Sequence, residues 1–313
     1  MISPYEQIQL TEPRGFADQT VRQVLHIAGG GERLRARLTN RYGRTPLTIA
    51  AVTAATPLST VAGMDTRWAG YLSTFHAERP GVTEAVLSRC TDAGVNPYDW
   101  LMEAAPATGR VLDLACGSAP LWTRLSGRGY LGVDVSAAEL AGAARRGAGP
   151  LARASATALP LRSASVDMVL CSMALMLPTP LPAALAQIAR VLAPGGRLVA
   201  TLPDMRPVRA ADVPAVAGLV MALGRGLDYP NDAALHRLPS LLANANLRVV
   251  ADERRRFAYR LAERGDADRF LASLYLPGLP RHRYRRTLAW LRALARVHAT
   301  VPVPIRRVVA ERR

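Results

Sequence analysis

The chain has 313 residues, half of them hydrophobic and a fifth charged, which excludes a disordered tail and a disulfide-built miniprotein. Its net charge is +16, with arginine as the only strongly basic residue; such a surface attracts nucleic acid or anionic lipid at low salt, although the crowding with Ala, Gly, Pro and Arg is also what GC-rich coding imposes on any protein. No apolar run approaches the ~20 residues that span a bilayer, MISPYEQIQL lacks a signal-peptide layout, and Cys90, Cys116 and Cys171 have no metal-ligand spacing, so a cytoplasmic protein with free thiols, no metal and no membrane contact is expected.

In chain order, Val21–Ile27, Leu34–Leu38 and Leu47–Val52 read as three β segments of a meander, broken by the glycines at 29–31 and by Asn40–Gly43. The words TVRQVLHIAGG and RLRARLTNRYGRTPLTI in this stretch resemble part of the β module beside the catalytic domain of GDSL (SGNH) hydrolases, over residues 18–55. No Gly-Asp-Ser nucleophile segment follows, so hydrolase chemistry is not carried over. A linker rich in Ala, Thr, Pro and Ser covers 53–62, and a helical pattern begins at Met64.

From Trp68 to Ala105 the chain reads as helices, with one over Thr83–Arg89 and one opened by Asn96 as N-cap and Pro97 at the first helical position. Strands are then predicted at Val111–Ala115, Tyr130–Val135, Val166–Ser172 and Leu198–Leu202, separated by helices at Ser136–Arg145 and Ala184–Leu192 and by a turn at Pro194–Gly196. Further helices are predicted near 208–224, 231–244, 266–276 and 284–298, and strands at Leu247–Arg254 and Ile305–Ala310. The alternation argues for a parallel sheet covered on both faces.

Two words carry chemistry. In VLDLACGSAPLW, residues 111–122, a strand runs into a tight loop of small residues, which lets a ligand approach the backbone closely. In GVDVS, residues 132–136, Asp134 ends a strand about twenty residues after Asp113, where a carboxylate can accept from two ribose hydroxyls. The competing reading is that Asp134 or Ser136 only caps the next helix.

Together with ALPL, SVDMVLCS and RVLAPGGRLVA, these words resemble the class I S-adenosylmethionine-dependent methyltransferases of small-molecule type, closely over 111–203. The resemblance implies an α/β, doubly wound, Rossmann-like seven-stranded sheet with a helical lid, here with an N-terminal β-meander extension. With the meander and linker read above taking 1–63, it implies a helical cap at 64–105 and a methyltransferase domain at 106–313, the last with lid insertions at about 205–230 and 262–299. It implies S-adenosyl-L-methionine as cofactor, with Asp113, Ala115 and Gly117 in the loop under its methionine part, Asp134 on the ribose and Val135 on the adenine. Ser155 and Ala156 take the adenine edge, and Cys171 offers its backbone carbonyl to the amino group. Alanine replaces frequent glycines at 115 and 119, which is tolerable if φ stays negative there.

For the acceptor, the resemblance points to the segment before the nucleotide fold and to the sheet's carboxyl end. Tyr71, Phe75, Met173, Met176 and Tyr275 are candidate substrate contacts, and His76 and Tyr71 are candidates for catalytic work, with no conspicuous general base. The spacing of Trp68, Tyr71, Leu72 and Phe75 equally fits an ordinary buried helix face. The expected substrate is a small aromatic or apolar metabolite of secondary metabolism, with a possible homodimer. Residues 251–313 hold sixteen arginines against six acids, so an RNA methyltransferase is one alternative and a non-catalytic cofactor-binding protein another.

Overall fold

Apolar residues in period 2 and period 3.6 alternate along most of the described chain, and each run becomes the element its period demands. The computed structural model describes residues 66–125, 127–206, 208–263 and 265–313. All belong to one compact unit spanning 58–313. The meander expected over 18–55, its hydrolase resemblance and the boundary expected at 63 lie outside the described residues.

The elements run α1 (Thr66–Glu78), α2 (Val82–Leu87), β1 (Cys90–Thr91), α3 (Pro97–Glu103), β2 (Arg110–Leu114), β3 (Gly129–Asp134), α4 (Ala137–Arg145), β4 (Leu151–Arg153) and β5 (Val166–Ser172). They continue with α5 (Leu181–Val191), β6 (Leu192–Pro203), α6 (Val213–Leu223), α7 (Asp232–Leu235), α8 (Leu238–Asn244), β7 (Leu247–Arg260), α9 (Asp266–Ser273), α10 (Arg281–Arg296) and β8 (Thr300–Arg312). One sheet takes the order β1-β7-β8-β6-β5-β2-β3-β4. The pairs from β6 through β4 are parallel, and β8 is antiparallel to both β6 and β7. Connections from β2 lead outward in both directions, so the strand order reverses beside β2, the switch point where open α/β sheets place ligands at their carboxyl ends.

The sheet is doubly wound, as expected, but has an eighth strand: two-residue β1 pairs with the end of β7 through Cys90 and Tyr259. It is too short to leave a pattern. The turn expected at Pro194–Gly196 lies inside β6 instead, beside a register shift opposite Val166 and Met168. A Cβ on Gly196 would stand 2.8 Å from the Ala193 carbonyl and 3.0 Å from that of Asp167, so glycine permits a bulge there rather than a reversal. Strands β7 and β8 run longer than predicted because charged residues occupy their solvent-facing positions. Arg254, Arg255 and Arg256 lie on β7 and pair with Asp204, Asp92 and Asp212.

The two faces bury separate cores. On β5, Met168 and Leu170 enter one, while Val169 and Cys171 enter the other, the period-2 alternation of a strand buried on both sides. Helix α5 buries Leu181, Ala184, Leu185, Ile188 and Ala189 at i, i+3, i+4, i+7 and i+8. Asn96 caps α3 as its sequence announces, accepting from the Tyr98 and Asp99 amides at 2.9 and 3.0 Å, with Pro97 next. Helices α6, α9 and α10 cover the sheet on the β7 side; Trp290 of α10 packs against Gly218 of α6. A third cluster of Trp68, Phe75, Met176 and Tyr275 joins α1 to the segments after β5 and α9.

Candidate functional site

The small-residue loop after β2 and the end of β3 are tied into one unit. The Gly117 amide donates to Asp134 Oδ2 at 2.8 Å, and the Ser136 amide donates to Asp134 Oδ1 at 2.8 Å. Cys116 N–H bonds the Val133 carbonyl at 3.0 Å. Asp134 is 8% exposed. Burial raises its pKa, and the Ser136 and Gly117 amides oppose that shift. Oδ2 spends one lone pair on the loop and Oδ1 one on the N-cap of α4, and each keeps another. Asp134 thus both shapes its surroundings and retains capacity for a ligand's hydroxyls. The next residue, Val135, is an exposed apolar side chain.

Ala115 and Ala119 have φ of 54° and 58°, with Gly117 at 52° between them. The condition set for tolerating alanine, a negative φ, is therefore not met. Left-handed alanine costs roughly 1–2 kcal/mol per residue, and the surrounding bonds hold it: Ala119 N–H to the Cys116 carbonyl at 2.8 Å, and Ser118 Oγ to Glu84. Glu84 in turn pairs with Arg146 at 2.8 Å.

Asp113 sits apart from that loop. It is 2% exposed, and the Tyr130 hydroxyl donates to its Oδ2 at 3.0 Å. Burial pushes its pKa up to about 7; the Tyr130 bond opposes this and the charge of Asp134 adds to it. Ser155 and Thr157 join hydroxyls at 2.8 Å, and the Thr157 amide donates to Ser155 Oγ at 3.2 Å; Ala156 beside them is half-buried. The side chain of Cys171 enters the core, where burial lifts its thiol to about 12, so only its backbone is available to a ligand.

Helix α1 carries a second group of predicted residues. His76 Nδ1 lies 3.0 Å from Glu139 Oε1, and His76 Nε2 lies 3.1 Å from the Tyr275 hydroxyl. The Gly81 amide donates to Glu139 Oε2 at 2.9 Å. A carboxylate at Nδ1 assigns the ring proton there and leaves Nε2 to accept from Tyr275. The Tyr71 hydroxyl accepts the Leu276 amide at 2.7 Å, and the Phe75 and Tyr275 rings meet at 4.7 Å between centroids. Met176 is buried in this cluster, and half-buried Met173 packs against it with φ of 52°. Arg79 lies over the Phe75 ring and donates to the Ala272 carbonyl at 3.4 Å.

Glu139 escaped the sequence reading. Ser136-Ala-Ala-Glu139 has the spacing of a capping box, which hides the glutamate as a helix cap. Ser136 does accept the Glu139 amide at 3.3 Å, but Asp134 already holds the Ser136 amide, so the Glu139 carboxylate turns to His76 and Gly81. A cavity of about 420 Å³ lies at the other end of the sheet, lined by Gly109, Arg110, Gly129 and Asp167. It sits at the amino ends of the strands, where open α/β folds do not place ligands. Among the described residues no group of three His, Cys, Asp or Glu side chains could hold a metal ion, and no helix is long and apolar enough to cross a membrane.

Residues 112–200 match the family described as a methyltransferase domain. No curated protein matches the chain. Among solved structures, the [4+2]-cyclase SpnF superposes with a TM-score of 0.50 at 17% identity, over 77% of this chain and 94% of that one. The YcgJ protein of Bacillus subtilis has a TM-score of 0.46 at 16% identity, over 68% of this chain and 96% of its own. A Thermotoga maritima protein described as a SAM-dependent methyltransferase, possible histamine N-methyltransferase, has 0.44 at 16%, over 79% and 100%. The likeness to SpnF extends the shared α/β fold well beyond residues 112–200.

Proposed function

From the methyltransferase domain carried by residues 112–200, we propose that this chain uses S-adenosylmethionine to methylate a small, aromatic or largely apolar metabolite. The observation that carries this reading is Asp134, a carboxylate at a strand end that fastens the small-residue loop through Gly117. The residues present fit the cofactor. Asp134 keeps lone pairs for ribose hydroxyls, exposed Val135 offers the adenine an apolar surface, and the left-handed loop presents backbone to the amino-acid end. Ser155 and Ala156 would border the adenine edge, and the backbone carbonyl of Cys171 would receive the amino group.

When bound, this cofactor supplies a methyl group already activated on sulfonium. The work left to the chain is alignment and exclusion of water, worth several kcal/mol together. Tyr71, Phe75, Met173, Met176 and Tyr275 provide an apolar wall for the acceptor; the α6, α9 and α10 helices expected as its lid pack instead on the sheet core. His76, braced by Glu139, is the base: an acceptor hydroxyl or amine that takes the place of Tyr275 at Nε2 passes its proton to the imidazole.

The pairing of the arginines on β7 and β8 weakens the case for an RNA substrate. Arg254, Arg255, Arg256, Arg306 and Arg307 are neutralised by Asp204, Asp92, Asp212, Asp252 and Glu253, which leaves fewer free charges for phosphates. The fold also houses a cyclase, so the test must read transfer as well as binding. Calorimetry with S-adenosylhomocysteine is expected to give saturable heat, and methyl-labelled S-adenosylmethionine with a small-molecule extract is expected to label an organic-soluble product. Absence of both heat and a melting-point rise refutes the reading; binding without any labelled product leaves a non-catalytic cofactor-binding protein.

A further inference from the structure

One cation beside the α1 cluster has a buried edge with nothing to hold. Arg225 follows Gly224, the left-handed residue (φ 74°) that ends α6. Its Nε and Nη2 are both buried, and neither has a hydrogen-bond partner among the described residues. These two nitrogens form one edge of the guanidinium fork, the geometry that matches two oxygens of a carboxylate or phosphate.

This protein uses that edge repeatedly. Arg110 grips Asp167 with Nε and Nη2 at 3.1 and 2.9 Å, Arg292 grips Asp268 at 3.2 and 2.7 Å, and Arg306 grips Asp252 at 2.8 and 2.6 Å. Arg256 holds Asp212 in the same way. In Arg225 the same edge is buried with no carboxylate bonded to it among the described residues. Leaving the buried edge of this half-buried side chain unpaired is costly, and an unsatisfied group of this kind calls for an explanation.

The surroundings point to the acceptor side. The charge of Arg225 reaches the Tyr71 phenol, which lies against Phe75. The following segment is anchored to the loop after β5: Asn231 Nδ2 donates to the Leu175 and Pro178 carbonyls at 3.1 and 2.8 Å, and Tyr229 meets the Tyr275 ring edge-on at 6.2 Å. Arg225 is therefore attached to a fixed segment beside an aromatic wall.

We propose that Arg225 is a specificity residue whose Nε–Nη2 edge receives an oxyanion, carboxylate or phosphate, on a methyl acceptor whose apolar body lies against Tyr71, Phe75 and Tyr229. This rests on the methyltransferase reading and narrows its substrate to amphipathic acids.

The test uses the full chain saturated with S-adenosylhomocysteine and three probes: 4-phenylbutyrate, phenyl phosphate and neutral 4-phenylbutanamide. Calorimetry is expected to show at least one anion binding about tenfold or more tighter than the amide, the preference lost in Arg225→Met and reduced in Arg225→Lys, which keeps charge but not the fork. Affinity for S-adenosylhomocysteine is expected to stay within about twofold in both variants. Without any probe, Arg225→Met is expected to melt at or above the wild-type temperature, because an unpaired buried cation is gone; an arginine with a merely structural role would lower it. Equal binding of anions and amide, no binding of any probe, a preference that survives Arg225→Met, or a lowered melting point overturns the proposal. So does a roughly tenfold loss of S-adenosylhomocysteine affinity in Arg225→Met, which would assign the arginine to the cofactor's own carboxylate. If the wild type does not bind S-adenosylhomocysteine, the methyltransferase reading falls first; if it binds but shows no preference for acids, only the role of Arg225 falls.

Discussion

Replacing Asp113 by asparagine is expected to favour the folded state more as pH rises. Burial raises the Asp113 carboxyl from 3.8 in the unfolded chain to about 7 in the folded one. Below pH 3.8 the group is protonated in both states, and well above 7 it is ionised in both. Between these limits the folded state binds the extra proton, so this residue's contribution to stability falls as pH rises. The gap between 3.8 and about 7 corresponds to a swing of roughly 4 kcal/mol, of which roughly 3 kcal/mol lies between pH 5 and pH 8. Asparagine cannot ionise and keeps an oxygen for the Tyr130 hydroxyl, now 3.0 Å from Asp113 Oδ2. Its NH2 arrives in a buried place without a named acceptor, at about 1–3 kcal/mol. Asp113→Asn is therefore expected to lie within about 1 kcal/mol of wild type at pH 5, where wild type has already lost the part of the swing below that pH, and to be more stable than wild type by about 1–3 kcal/mol at pH 8. Urea denaturation of both proteins from pH 4.5 to 8.5 measures the difference directly, because groups common to both, including Asp134, largely cancel. Parallel stability curves over that range would show that Asp113 does not carry a raised folded pKa.

Asp134→Ala is expected to weaken S-adenosylhomocysteine binding by about 1–3 kcal/mol, roughly five- to 150-fold; unchanged affinity by calorimetry would count against the ribose assignment. His76→Asn is expected to lower kcat by about 10²–10⁴ for an acceptor that must lose a proton, with S-adenosylhomocysteine affinity nearly unchanged; a wild-type kcat would remove His76 from the chemistry. Gly132→Ala is expected to cost about 1–3 kcal/mol by overpacking, because the new methyl would stand 2.7 Å from Leu151 Cδ2, 2.8 Å from the Tyr130 hydroxyl and 3.0 Å from Cys116 Sγ. Thermal denaturation that leaves this variant at the wild-type midpoint would mean that those side chains yield freely.

The strand–loop–helix order, the Asn96 cap and the carboxylate at the end of β3 were legible in the sequence, because periodicity, capping and turn chemistry act over a few residues. The doubly wound sheet followed from their alternation. Contacts between distant residues were not legible. Glu139 looks like a capping residue until β3 supplies Asp134 to the same amide and α1 brings His76 from 63 positions away; Tyr275 arrives from 199 positions away on the other side of that imidazole. Asp113 and Asp134 read alike as acids near strand ends, yet packing gives one to Tyr130 in the core and the other to the loop at the rim. The arginine-rich word of β7 suggested an open basic surface, and strand pairing and neighbouring loops set acids against it. Local sequence determines which elements form because its interactions are short-ranged; which charged or polar groups meet depends on long-range packing, and packing alone left the Arg225 edge without a hydrogen-bond partner among the described residues.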